Sequence, residues 1–310
     1  MKKRKIITGF IAILVIGLVG LVGCNLINAI MNPEIMTPTD YETTVSTGGN
    51  LEATYLAHGT HEVTFLEENT DEKWAKYEIY YPTDLENSSE KYPVIVMSNG
   101  SGVRASRYPA LFEHYASWGF IVIGNEHDTA YAGDSSDASL SYLIEANEDP
   151  NSKLYQKVDL NNVGIVGHSQ GGVGIFNAIT NQTHSDMYKT AVSLSPVPEE
   201  SAAAINWTYA PEKVAIPVMV MAGTNKDCIT IEQLKTLYSH ISSDKIMAVR
   251  TNSNHPEMLY SADGYVTAWF MWQLQGDEDA AQAFTGSNAE IMNNELYQDV
   301  QSTISDDANE

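Results

Sequence analysis

Gly167-His168-Ser169-Gln170-Gly171-Gly172 sets a serine among glycines. An apolar run (Val163, Ile165, Val166) leads into it, and a stretch of helical character, residues 170–180, leads out. A hydroxyl can attack a carbonyl only if it stands clear of its own backbone. A sharp, strained turn between a strand and a helix achieves this. Side chains two positions either side of the serine would collide there, so Gly167 and Gly171 suit the turn. The chemistry this spacing allows is nucleophilic acyl transfer from Ser169. The plain alternative is a glycine-rich β–α turn with no reactive role.

A serine hydroxyl is a weak nucleophile near neutral pH. It needs an imidazole to take its proton and a carboxylate to orient that imidazole. On an α/β sheet with such an elbow, the acid and then the histidine come later in the chain. Three histidines follow Ser169: His184, His240 and His255. His184 lies in a polar stretch just past the elbow helix, and His240 lies inside an expected helix. His255 stands in the loop 251–256, right after a strand ending at Arg250, where open α/β sheets carry their sites. Among the acids, Asp227 follows the strand 217–221 and the turn Ala222-Gly223-Thr224-Asn225-Lys226 in the same way. Asp186, Asp244, Glu199, Glu200, Glu212 and Glu232 end no comparable apolar strand. The competing role for Asp227 is an N-cap for the helix that starts at Ile231. A tetrahedral intermediate also needs two N–H donors. The backbone of Gln170, the residue after the nucleophile, offers one. The loop Ser98-Asn99-Gly100-Ser101-Gly102 offers the other, expected at the Ser101 N–H, with a plain turn as the alternative.

The elements that must position these groups are legible as alternation. Residues 61–66 and 76–81 read as strands. Then follow a strand at 93–97, a helix at 105–118, a strand at 120–123, a helix at 136–147, a strand at 163–166 and the elbow helix. Strands at 191–194, 217–221 and 245–250 alternate with helices at 231–241 and 266–274. Continuous apolar strands separated by helices predict a mostly parallel sheet of about eight strands with helices on both faces.

The segment from Asp159 through the elbow to Gly172 resembles the elbow of serine esterases of the α/β-hydrolase superfamily. The similarity is to the group that holds dienelactone-hydrolase-like proteins, platelet-activating-factor acetylhydrolases and cutinase-like polyester hydrolases. Gly223-Thr224-Asn225-Lys226-Asp227 resembles that group's acid turn, and Ser253-Asn254-His255 its histidine loop. Residues 112–123 are similar to its helix-to-fourth-strand segment, and residues 265–270 to its last helix. The resemblance covers residues 62–284. It implies an α/β-hydrolase fold and hydrolysis of carboxylic esters through an acyl-enzyme, with no cofactor and no metal. There are departures. The family's usual oxyanion loop has His before Gly where this chain has Asn99. The polyester hydrolases carry Trp after the sixth strand, where this chain has Pro196-Val197-Pro198, and Met where it has Gln170. Polyester activity therefore gains no support from the sequence.

Other reactive residue types are weaker signals. Glu126-His127-Asp128 follows the fourth strand, but three consecutive residues of an extended segment cannot converge on one ion. Tyr131, Trp207 and Tyr209 are candidates for an acyl pocket, or simply loop aromatics. Cys228, beside Asp227, reads as a packed thiol.

The chain begins with a basic cluster, Lys2-Lys3-Arg4-Lys5, then an apolar run over residues 6–23 ending Leu21-Val22-Gly23-Cys24. This order describes an export signal, and its end resembles the lipobox of bacterial lipoproteins, in which the cysteine is lipidated. The competing reading is an uncleaved membrane anchor. Either predicts an extracytoplasmic protein held at the cell membrane. Residues 25–50 are polar and aperiodic and predict a flexible tether. The catalytic domain is expected over 51–290, followed by a frayed acidic tail over 291–310. The net charge is −23, and all four basic residues of the start precede Cys24, so the body is more acidic still. Such a field repels nucleic acid. The expected partner is a small or accessible ester. Oligomeric state leaves no sequence signature. A peptidase, an acyltransferase or a binding protein on an inactive hydrolase scaffold remain the alternative functions.

Overall fold

The computed structural model describes residues 35–70 and 73–304. The signal region with Cys24, residues 25–34 of the expected tether and the last six residues lie outside the described residues. Among the described residues no helix is long and apolar enough to cross a membrane. One compact unit begins at Thr37.

Its elements, in chain order, are α1 (Tyr41–Thr44), α2 (Asn50–Leu56), β1 (Val63–Asn69), β2 (Lys76–Pro82), β3 (Tyr92–Ser98), α3 (Pro109–Ser117), β4 (Ile121–Asn125), α4 (Asp134–Glu148) and β5 (Val158–His168). They continue with α5 (Gln170–Asn181), β6 (Tyr188–Leu194), α6 (Glu199–Ala204), β7 (Val218–Asn225), α7 (Ile231–His240), β8 (Lys245–Asn254), α8 (Asp263–Gln275) and β9 (Tyr297–Ser302), with short helical turns between some of them. The strands form one sheet in the order β1-β2-β4-β3-β5-β6-β7-β8-β9. Strands β3 to β8 pair in parallel, while β1, β2 and β9 add antiparallel at the edges. This is the α/β-hydrolase architecture.

The parallel strands are buried on both faces, which is why they read as unbroken apolar runs. Alternation still decides which face each side chain covers. Val94, Val96, Val163 and Ile165 join Leu140, Leu143, Ile175 and Phe176 of α4 and α5 in one core. On the other face Phe120 and Tyr115 meet Phe270 of α8, and Trp269 Nε1 donates to Thr190 Oγ1 at 2.6 Å. With its parallel strands buried on both sides, the sheet leaves its carboxyl edge for loops, and the candidate residues lie there.

The mostly parallel sheet is as expected, with nine strands for about eight, and two expectations about its flanking segments need correction. The ninth comes from the segment expected to fray: residues 297–302 pair with β8. A short strand with one face in solvent carries too little apolar pattern to stand out from a polar tail. The expected tether is shorter than 25–50, because residues 37–50 belong to the domain. Tyr41 is fully buried and its hydroxyl donates to Asp263 Oδ2 at 2.7 Å. The Gly48 N–H donates to Glu52 Oε2 at 2.7 Å, and Arg250 donates to the Ser46 carbonyl. Single polar anchors, not an amphipathic face, hold this segment, so no periodicity announces it.

Candidate active site

Ser169 sits between β5 and α5 with φ 60° and ψ −117°, a backbone region that L-residues rarely occupy. The Ser169 N–H donates to the Leu194 carbonyl at 2.9 Å, which pins the elbow to β6. The glycines permit the turn by close approach. A Cβ at Gly167 would stand 2.2 Å from the Gly171 carbonyl oxygen, and one at Gly171 would stand 1.9 Å from the Ser98 carbonyl oxygen. Strain of this kind persists only where the surroundings over-determine it.

Asp227 and His255 arrive from the ends of β7 and β8. His255 Nδ1 and Asp227 Oδ1 are 2.9 Å apart. A carboxylate only accepts, so Nδ1 carries the proton and Nε2 keeps its lone pair. Asp227 also accepts from the Ser195 hydroxyl at 2.6 Å, from the Gly223 N–H at 2.7 Å and from the Cys228 N–H at 2.6 Å. Burial pushes the Asp227 carboxyl up. The bonds from His255, Ser195 and Gly223 outweigh it and hold the group below its ordinary value. Asp227 does not cap the following helix: Thr230 does, in a reciprocal capping box with Gln233. Among the described residues Ser169 Oγ has no hydrogen-bond partner. In a ligand-free site such a bond commonly tightens only when substrate is bound.

The other histidines point elsewhere. His184 Nδ1 meets Asp137 at 3.1 Å, and His240 Nδ1 meets Glu199 at 2.8 Å on the surface.

Two contributors escaped the sequence reading. His168 is buried, and its ring lies 4.4 Å from that of His255. Its Nε2 stands 2.7 Å from the His255 carbonyl, so Nε2–H donates. Burial, with a smaller electrostatic contribution from the neighbouring His255 ring, drives the His168 pKa down to about 3, so the ring stays neutral. Ser195, at φ 45°, follows β6 at its carboxyl end. The strand-end argument that found Asp227 could have found it too.

The loop 98–102 packs directly on the elbow. Asn99 Nδ2 donates to the carbonyls of Asn125 and His127, both at 2.8 Å, so asparagine holds the loop where a histidine is usual. The Gly100 N–H donates to the Tyr108 hydroxyl at 3.1 Å, and the Gly102 N–H to the Asp128 carbonyl at 2.9 Å. Ser101, between them, is exposed. Gln170 is the first residue of α5, where a helix N–H has no carbonyl one turn back to bond. Its side chain turns away and accepts from the Ala130 N–H at 2.8 Å.

The remaining candidates have structural partners. Glu126 accepts from the Ser106 N–H and hydroxyl at 2.8 and 2.9 Å, and His127 Nδ1 faces the Thr129 carbonyl at 2.8 Å. Tyr131 stacks on Trp207 at 5.3 Å, and Tyr209 stacks on Phe176 at 5.1 Å while donating to the Val197 carbonyl. These contacts seat the segment 196–211 against α5. Burial, then the Asp227 charge, pushes the Cys228 thiol up to about 12. Its sulfur lies 3.2 Å from the Ser195 carbonyl, although the residue as a whole is exposed.

A family model described as PETase, PET hydrolase-like, matches residues 44–299. Cutinase est1 of Thermobifida alba is 27% identical over 203 residues, 62% of this chain and 62% of that protein. Cutinase est2 of the same organism is 30% identical over 123 residues, 38% of each chain. The alignments thus span about three-fifths or less of either relative's length.

Proposed function

The chain belongs to the PET hydrolase-like family, and from that membership and the site's chemistry we infer a serine hydrolase that cleaves carboxylic esters. Ser169 Oγ attacks the ester carbonyl. His255 Nε2 takes the hydroxyl proton and returns it to the leaving alcohol. Asp227 holds His255 in the Nδ1–H tautomer and stabilises the imidazolium that forms. The backbone N–H groups of Gln170 and Ser101 receive the oxyanion. Water, activated by the same histidine, then releases the acid and restores Ser169. The observation that carries this reading is the 2.9 Å pairing of His255 with Asp227 at the strand ends beside a strained serine.

The relatives are named cutinases, which supports an ester as the substrate. The basic-then-apolar start ending at Cys24 supports display outside the cytoplasm on a lipid or helical membrane anchor.

A fluorophosphonate probe tests the serine, and matched p-nitrophenyl ester and anilide substrates test the reaction. The expected result is labelling at Ser169, with esters turned over faster than amides. Ser169→Ala should lower kcat by about four to six orders of magnitude. Near-normal ester turnover by that variant would sink the assignment.

A further inference from the structure

We propose that Asp227, Cys228 and His255 form an inhibitory site for a thiophilic divalent cation of the Zn²⁺ class, which stops turnover by capturing the catalytic histidine. The proposal rests on the triad reading above and names a way to regulate it. One ligating atom from each of the three residues, a carboxylate oxygen, a sulfur and a ring nitrogen, lies within 4.8 Å of the others. The donor set is of the kind Zn²⁺ prefers: thiolate, imidazole and carboxylate, with room for water as a fourth ligand. Tetrahedral Zn²⁺ with ordinary bond lengths separates such ligands by about 3.3 to 3.8 Å. The His255–Asp227 pair, now at 2.9 Å, has to open slightly, and the sulfur has to close in. Both are side-chain rotations rather than backbone shifts.

Access and charge agree with the geometry. Cys228 is an exposed residue beside the half-buried Asp227 and His255, so the cluster lies near the surface. The Cys228 sulfur lies 3.2 and 3.6 Å from the carbonyls of Ser195 and Pro196 and beside the Asp227 carboxylate. Resting Cys228 is a neutral thiol; once a divalent cation displaces its proton, the ion's charge joins the thiolate and the carboxylate that would otherwise repel each other.

The proton balance explains the inhibition. Cys228 releases its thiol proton to solvent, so one proton appears per ion bound. His255 gives its Nδ1 to the metal and carries its ring proton on Nε2 instead. Nε2 is then a donor and cannot accept the Ser169 proton, so the nucleophile stays a neutral hydroxyl. The ion is an inhibitor, not a cofactor, and its removal restores the resting tautomer.

Cd²⁺ and Zn²⁺ titrations of the full chain test this, with Ser169→Ala in parallel. One equivalent of Cd²⁺ should produce the ultraviolet thiolate-to-metal band in both proteins and release one proton. Zn²⁺ should inhibit ester hydrolysis at the concentration where it binds, and a chelator should reverse the effect. Cys228→Ser, with Cys228→Ala as a second variant, should lose the band. Both should bind Zn²⁺ more weakly by over about 10-fold, because removing a direct ligand costs more than the loss of an outer partner. Their inhibition midpoints should move by the same factor. A missing band in the wild type, or an inhibition midpoint unmoved by both substitutions, overturns the proposal. The band and the proton count are read without substrate. Failure of the esterase reading would show separately, as a Ser169 that fluorophosphonate does not label in metal-free protein.

Discussion

Gly171→Ala puts the contact between elbow and oxyanion loop under direct strain. The added Cβ would stand 1.9 Å from the Ser98 carbonyl oxygen, 2.6 Å from its carbon and 2.8 Å from the Asn99 carbonyl oxygen. Ordinary contact begins near 3.4 Å, so the two chains must separate by about 1.5 Å. All three atoms are backbone at the end of β3, and no side chain can swing aside to make room. Either the segment 98–102 retreats or the first turn of α5 tilts, and both movements part the Gln170 N–H from the Ser101 N–H. A misplacement of about 1 Å can cost on the order of 100-fold, and loss of one oxyanion donor costs about 100- to 1000-fold. The expected fall in kcat for p-nitrophenyl acetate is therefore about 100- to 1000-fold. Overpacking should destabilise the fold by only about 1–3 kcal/mol. Urea unfolding followed by circular dichroism separates that loss from the loss of turnover. Gly276→Ala is the matched control. Unlike Gly171 it has positive φ, at 70°, but an added Cβ meets nothing within 4 Å and the residue lies at the end of α8. It should cost stability through backbone strain and leave kcat alone. A folded Gly171→Ala whose kcat stays within about threefold of wild type would refute the assignment of the loop to the oxyanion.

Two further substitutions probe the support around the histidine. His168→Phe keeps a ring against His255 but removes the donor to the His255 carbonyl, leaving it unpaired at a cost of about 1–3 kcal/mol. If about half of that appears in the transition state, kcat falls roughly 3- to 10-fold. KM should hold, since His168 is placed to position His255 and not substrate, and an unchanged kcat would remove His168 from that role. Ser195→Ala deletes the 2.6 Å bond to Asp227, and bonds to a charged group contribute about 1.5–3 kcal/mol. The lowered Asp227 carboxyl contributes stability above its unfolded value near pH 3.9, and this is lost as the pH falls through the lower native value. The variant should be less stable at neutral pH, and its urea midpoint should converge on that of the wild type in acid. Parallel midpoints across the whole acid range would contradict the bond's effect on the carboxylate.

Strand-end position singled out Asp227 and His255, which the structure pairs at 2.9 Å. Each follows an apolar run, and a parallel sheet buried on both faces leaves only its carboxyl edge for polar work. Local chemistry likewise exposed the elbow, since only glycine fits beside so tight a turn. What stayed hidden was of another kind. β9 is half solvated and therefore barely patterned. The segment 37–50 is held by isolated anchors such as Tyr41 to Asp263, 222 residues apart. His168 received no role from the sequence, because nothing local says that its ring faces His255.

By itself, then, the sequence determined the alternation of strands and helices, the strained serine and the order of acid and histidine behind it. Those follow from periodicity, from glycine's lack of a side chain and from short-range turn chemistry. Only the tertiary structure decided which neighbours complete the carboxylate and the imidazole: Ser195 under Asp227, His168 against His255, and the Cys228 sulfur within reach of both. These contacts join the ends of different strands. Their distances come from how the sheet packs and twists, which no local run of residues encodes.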